Sequence, residues 1–276
     1  MVDQNNIDYC ANSVRVHDYD RYFAATFAPA NIRRGLFALY AFNLEIASAR
    51  ERVSDAMLGE IRLQWWRETI TDIYQGSVRK HAVVSELAST IDRFDLPQCL
   101  FNRMIDGRIF DMVDDPPEDI KSFEAYTIAT AGELVCAGSR ICGSTDYDVS
   151  ARQIGSIWGG VGLLRAIPFH LSQKRIYLPK DVLRRAGITS SMLSHKGSSI
   201  DISPAVGEMA KLLSDKLAVT RKLARKIRPA TAYIVNADAY LKRLSKAKND
   251  VYAPGLEGHR SVSQLRILQA IFRGMI

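Results

Sequence analysis

Apolar residues recur at three- and four-residue intervals almost from end to end of this chain. Nowhere do apolar and polar residues alternate long enough to make a half-buried strand. The best strand candidate, Arg175 to Leu178, is short and stops at Pro179. The pattern predicts an all-α fold, a bundle of at least about eight helices. Asp20 to Ala28 is a short amphipathic run closed by Pro29. Leu36, Leu39, Tyr40, Leu44 and Ala47 share a helical face that Asn31 is placed to cap. A further helix, capped by Ser54 or Asp55, carries Ile61, Trp65, Ile70 and Ile73 and ends at Gly76. The period continues through Val83 to Phe94 and Gln98 to Val113, where Pro116 and Pro117 stop it. Ser122 to Cys142, Ser150 to His170, Ser203 to Ile227, Pro229 to Lys246 and Val262 to Met275 complete the set.

No linker rich in Pro, Gly or Ser divides the 276 residues, and no internal repeat is visible, so residues 1–276 read as a single domain. With 47% apolar and 24% charged residues the chain can bury a core, which excludes disorder as its main state. No apolar run reaches the roughly 18–20 residues of a membrane span. The opening MVDQNNIDYC has neither a basic nor an apolar signal region, so no cleaved secretory signal is expected. Cys10, Cys99, Cys136 and Cys142 are scattered and form no C-x-x-C pair, which predicts reduced thiols in a cytosol-like compartment. The net charge of +7 suits anionic partners or is simply a solvated basic surface. Its densest cluster is the helix from Lys211 to Arg228, which reads as a solvated face or as a site for lipid headgroups. No nucleic-acid motif accompanies the charge, so nucleic acid is not an expected partner.

Six segments in order carry a resemblance. Arg21-Tyr22-Phe23 leads to Phe27-Ala28-Pro29, Arg33 and Ala38-Leu39-Tyr40-Ala41-Phe42; Trp66-Arg67 leads to Tyr74 and Gly76; Asp106-Gly107 leads to Asp111. Tyr126 to Ala131-Gly132, then Arg175-Ile176-Tyr177-Leu178-Pro179 with Asp181, then Tyr240-Leu241 with Arg243-Leu244 follow. Together they resemble the squalene/phytoene synthase family over nearly the whole chain. The resemblance implies the all-helical isoprenoid synthase fold with a central cavity. In active members two aspartate-rich helices hold Mg²⁺, and Mg²⁺ holds the diphosphates of two prenyl substrates joined head to head. The chemistry calls for hard oxygen ligands one helical turn apart to neutralise the leaving group, with basic side chains beside them.

This chain departs from that pattern at the aspartates. The three positions of the first motif are Ala47, Ser48 and Glu51, and the motif's arginine is Leu44. The second motif, carried by Gly159 to His170, keeps Arg165 but has Ala166 and His170 at its two aspartates, with Pro168 between them. Of these five positions only Glu51 is a carboxylate. Tyr40-Ala41-Phe42-Asn43 with Glu45, Arg62 to Trp66, and Leu164-Arg165-Ala166-Ile167-Pro168-Phe169-His170 resemble a narrower, non-catalytic branch that includes a mitochondrial complex I assembly factor.

Two functional readings follow. One is a non-catalytic isoprenoid- or lipid-binding protein or respiratory complex I assembly factor, needing no cofactor. Its partners would be respiratory subunits and a peripheral membrane surface, in the cytoplasm or a matrix-like compartment. The other is an active prenyl diphosphate transferase whose Mg²⁺ site is rebuilt from acids such as Glu45, Glu51 and Asp55. No catalytic residue is assigned. Tyr40, Tyr126, Arg165, Arg175 and Tyr177 are the candidate substrate contacts. Arg165 either meets a phosphate or forms an internal salt bridge to Glu45 or Glu51. His170 reads first as a hydrogen-bonded histidine at the core or rim, and Asp111, Asp114 and Asp115 as a solvated helix end. Gly155, Gly159 and Gly162 allow close helix packing or a channel for an apolar chain. Of Trp65 and Trp66, which point to different faces, one is core and the other is placed for a boundary with membrane or partner.

Overall fold

The computed structural model describes residues 4–53, 55–146, 148–194, 200–224 and 230–273. Its first five helices are α1 (Gln4–His17), α2 (Tyr19–Ala25), α3 (Ala30–Ala47), α4 (Ala56–Tyr74) and α5 (Ala82–Phe94). The next five are α6 (Gln98–Ile109), α7 (Ile120–Thr127), α8 (Glu133–Ile141), α9 (Asp148–Arg165) and α10 (Ile167–Ser172). Then come α11 (Lys180–Arg185), α12 (Ser190–Ser194), α13 (Ser203–Ala224), α14 (Val235–Lys246) and α15 (Arg260–Arg273). No strand occurs among the described residues. The all-α reading holds.

Two helices are buried on every side and set the centre. On α3 every residue from Gly35 to Asn43 is buried, and on α8 every residue from Glu133 to Ser139. A helix apolar all round belongs in the interior, with amphipathic helices around it. Accordingly α3 packs on α1, α5 and α8, while α8 packs on α3, α6 and α9. Beyond α9 lie α13 and α14, and α15 closes that side against α14 and α2.

Small residues set how close α9 comes. A Cβ on Gly132 would lie 2.8 Å from the Arg152 carbonyl oxygen, and one on Gly155 would overlap the Ala131 carbonyl oxygen. A Cβ on Gly159 would meet the Ala131 methyl at 2.8 Å, whereas one on Gly162 would meet nothing within 4 Å. Gly155 and Gly159 therefore serve packing, and Gly162 faces open space. The contact falls on a π-helical turn, Ile128–Gly132, which interrupts the single helix expected from Ser122 to Cys142.

Several local expectations change. The cap of α3 is Pro29 rather than Asn31, which lies within the helix. Asp55 does cap α4, its carboxylate accepting from the Met57 N–H at 2.8 Å; Ser54 lies outside the described residues. The buried face of α4 is Gly59, Leu63, Trp66, Thr69 and Ile70, so Ile61, 58% exposed, does not belong to it. Trp65 packs edge-on against Trp66 with ring centroids 5.0 Å apart and lies under the Arg79 guanidinium, half-buried rather than a bare boundary residue. The helix expected from Ser150 to His170 breaks at Ala166, and Pro168 opens α10 instead of kinking α9. All four cysteines are free thiols. No described helix is long and apolar enough to cross a membrane.

Candidate functional site

The first motif falls where α3 ends. Ala47 is its last residue, and Ser48 is its C-cap, with the Ser48 hydroxyl donating to the Leu44 carbonyl at 2.7 Å. Glu51 follows in an exposed turn. The buried carboxylate here is Glu45, which accepts from Arg52 at 2.8 Å and faces Arg62 at 3.6 Å. A carboxylate taken out of water needs such cations, and both guanidinium groups face its Oε2. Asp55, the third acid of the rebuilt-site reading, is engaged as the α4 cap.

The second motif straddles the break after α9. Arg165 makes a two-pronged ion pair with Glu257: Nη2 donates to Oε2, and Nε donates to Oε1 at 3.4 Å. The Arg165 guanidinium also stands 5.8 Å from the centre of the Tyr240 ring. Arg243 fastens the same loop, its Nε donating to the Leu256 carbonyl at 2.6 Å and its Nη2 to the Glu257 carbonyl at 3.3 Å. The internal partner of Arg165 is thus neither Glu45 nor Glu51. It comes from the loop between α14 and α15, a pairing that no helical spacing encodes.

His170 sits on α10 against the Tyr177 ring, centroids 4.6 Å apart, with its Nδ1 buried and unpartnered. Burial pushes its pKa down to about 4; Asp111 pulls the other way, and Arg175 adds to the push. The imidazole is therefore neutral at pH 7. Arg175 is anchored through its backbone N–H, which donates to the His170 carbonyl at 2.8 Å.

Around this ring lies a buried polar network that sequence reasoning missed. Asp111, at 5% exposure, is not part of a solvated helix end. Its Oδ1 accepts from the Tyr126 hydroxyl at 2.7 Å and the Tyr177 hydroxyl at 2.8 Å, and its Oδ2 from Arg108 at 3.2 Å. Arg108 also donates to the Tyr126 oxygen at 3.0 Å. Burial, then the Asp111 charge, holds both tyrosines well above the ordinary phenol range. Asp114 and Asp115 are the exposed members of the run, and Asp114 reaches Arg50 at 4.0 Å.

Tyr40 belongs to a different cluster. The buried guanidinium of Arg21 pairs with Asp18 and stands 5.7, 6.0 and 5.2 Å from the ring centres of Tyr40, Trp158 and Tyr233. This arrangement ties α2, α3 and α9 together around one cation. The structure therefore brings Tyr126, Tyr177, His170 and Arg175 together and leaves Tyr40 and Arg165 in two separate settings. An arginine followed by aromatics at the start of α2 was the only sequence signal for Arg21.

The fold's expected Mg²⁺ does not suit these positions. Mg²⁺ needs near-octahedral oxygen ligands, usually carboxylates with waters. Here one side offers a helix cap and an exposed glutamate, and the other an alanine and a half-buried neutral histidine. Among the described residues no three His, Cys, Asp or Glu side chains are grouped to hold a metal ion. The basic helix face expected from Lys211 to Arg228 is described only in part. Lys216 pairs with Glu124, Lys211 is exposed, and the side chains of Arg221, Lys222, Arg225, Lys226 and Arg228 lie outside the described residues.

Comparison with known proteins agrees with this architecture. A dehydrosqualene synthase in complex with ligand superposes with a TM-score of 0.82 at 20% identity, covering 98% of each chain. A squalene synthase of Alicyclobacillus acidocaldarius gives a TM-score of 0.77 at 16% identity, covering 89% of this chain and 95% of that one. In sequence, the chain is 29% identical to the NADH dehydrogenase (ubiquinone) complex I assembly factor 6 of Bos taurus over 94% of this chain and 80% of that protein. A phytoene synthase of Cereibacter sphaeroides is 24% identical over 68% of this chain and 56% of its own length. The squalene/phytoene synthase family profile matches residues 14–266, and the chain belongs to that family.

Proposed function

We propose that this protein is a non-catalytic member of its family that acts in the assembly of respiratory complex I. The observation that carries this reading is the Arg165–Glu257 pair. The cation retained from the diphosphate-binding motif already has an anion, supplied by the chain itself. The aspartate positions next to it are an alanine and a neutral histidine, and those on α3 are an alanine, a serine and an exposed glutamate. Diphosphate departure needs several positive charges gathered on the leaving group, and the one arginine retained here is already paired. Likeness to complex I assembly factors over nearly the whole chain supports the biological role. In this reading the protein works as a peripheral component at the inner membrane, needs no Mg²⁺, and presents its surface to respiratory subunits. The ligand-bound neighbour of the same fold supports an isoprenoid or lipid as cargo rather than substrate.

The deciding experiment incubates pure protein with Mg²⁺ and farnesyl or geranylgeranyl diphosphate and follows pyrophosphate. The expected result is no release above a boiled control. Release that disappears on Glu51→Ala would instead establish a transferase with a rebuilt metal site. In parallel, affinity capture from the host's respiratory membranes should retain complex I subunits. Capture of stoichiometric lipid with no respiratory subunit would make the protein a carrier.

A further inference from the structure

A cleft of about 460 Å³ lies between α13, α14 and α15, on the side of α14 away from the core. Its base is apolar: Leu217, Ile234, Val235 and Ala239. Its walls carry Lys242, Arg243, Lys246 and Arg266 against a single acid, Asp238, which accepts from Lys242 at 2.7 Å. Arg243 donates to the Leu256 and Glu257 carbonyls, and the nearby Glu257 carboxylate offsets only part of its charge. Burial, then the like charge of Arg266, pulls the Arg243 guanidinium below its ordinary range. Several cations crowd one concave, half-dry site, and the natural occupant is an anion with several acceptor oxygens.

The surface beside the cleft narrows the choice of anion. Helix α15 buries Ile267 and Ala270. A surface helix would ordinarily turn polar residues outward from that face. Instead Val262, Leu265 and Phe272 are exposed, Leu265 at 54% and Phe272 at 74%, and Phe272 meets Phe27 edge-on with centroids 5.9 Å apart. At 100° per residue, this apolar stripe runs alongside the stripe of Arg266 and Gln269 that lines the cleft. Basic groups next to exposed leucine and phenylalanine on one helix match the two layers of a membrane surface, headgroup and acyl boundary.

We propose that the cleft of Lys242, Arg243, Lys246 and Arg266 binds the phosphate of an anionic phospholipid, with Leu265 and Phe272 entering the acyl boundary. This deepens the peripheral attachment of the reading above. It stands apart from the assembly role, because vesicle binding and capture of respiratory subunits can each fail without the other.

The test is co-sedimentation of the full chain with phosphatidylcholine vesicles, with and without phosphatidylglycerol. Binding is expected only with the anionic lipid, weakened by salt. Lys246→Glu/Arg266→Glu should lose roughly tenfold in affinity, and a charge-matched control, Lys80→Glu/Lys121→Glu on exposed positions elsewhere, should lose much less. Equal loss in both variants would reduce the effect to net charge and overturn the site. So would equal binding to both vesicle types. Inorganic phosphate should raise the melting temperature of the unmodified protein, a readout independent of how the variants fold. A phosphate shift without vesicle binding would assign the cleft to a soluble phosphate and overturn the lipid.

Discussion

Tyr126 and Tyr177 donate their hydroxyls to one and the same oxygen of Asp111, at 2.7 and 2.8 Å, and thereby join α7 to the RIYLP segment through the turn that ends α6. Asp111→Ala would strand both hydroxyls and the Arg108 guanidinium in the interior. The expected cost is about 3–5 kcal/mol, because the loss leaves a buried charge unpaired. Tyr177→Phe removes one bond to a charged acceptor and should cost about 1.5–3 kcal/mol. Urea denaturation of the two variants, compared at constant m-value, measures both.

The neutral His170 imparts a pH dependence of known sign. Burial holds its pKa down at about 4 in the folded protein against 6.5 for a free histidine, so between those values the unfolded chain binds more protons. Its contribution is complete above pH 6.5, falls as pH drops from 6.5 to 4, and is level below. The full span is on the order of 3 kcal/mol. His170→Leu should flatten the stability profile between pH 4.5 and 6.5 relative to the parent protein. An unchanged slope would mean that His170 binds protons alike in the folded and the unfolded chain and would overturn the neutral assignment.

Glycines along α9 should respond oppositely to the same added methyl group. Gly155→Ala drives a Cβ into the Ala131 carbonyl and must push α9 off the π-helical turn Ile128–Gly132, at about 3 kcal/mol or more. Gly162→Ala meets open space at a helical position and should stabilise by up to about 1 kcal/mol. Thermal unfolding of the two variants side by side separates packing from helix propensity.

Glu257→Gln should cost little in stability, up to about 1 kcal/mol, since Glu257 is 63% and Arg165 35% exposed and water screens the pair. Its larger effect is functional. With Arg165 released, pyrophosphate should raise the melting temperature of this variant by more than it raises that of the parent, whose basic cleft it can also occupy; calorimetry with and without pyrophosphate reads the difference.

The helices were legible because burial on one side imposes a 3.6-residue period that residue type alone reveals. Where apolar residues crowd a helix, that period allows two phases. The period puts Ile61, Trp65, Ile70 and Ile73 on one face of α4, yet of these only Ile70 is fully buried, beside Leu63 and Trp66, and Ile61 is exposed. The family's motif positions could also be aligned from sequence, and their degradation could be read one residue at a time. What those residues do instead was not legible. The partner of Arg165 lies beyond five further helices, and Asp111 resembles surface because its neighbours Asp114 and Asp115 are exposed. The break at Ala166 was half visible: Pro168 announced a disturbance, but not that a second helix would begin there. Backbone contact between Gly132 and Arg152 leaves no trace in a hydrophobic pattern, since glycine contributes none.

The Arg165–Glu257 pair also changes what the fold depends on. A protein whose anion site must be filled from solution gains stability in proportion to the free ligand, by mass action. Here the counterion is covalently part of the chain, delivered by the loop that Arg243 pins in place. In the non-catalytic reading proposed above, Arg165 therefore needs no prenyl diphosphate from the cell to balance its charge.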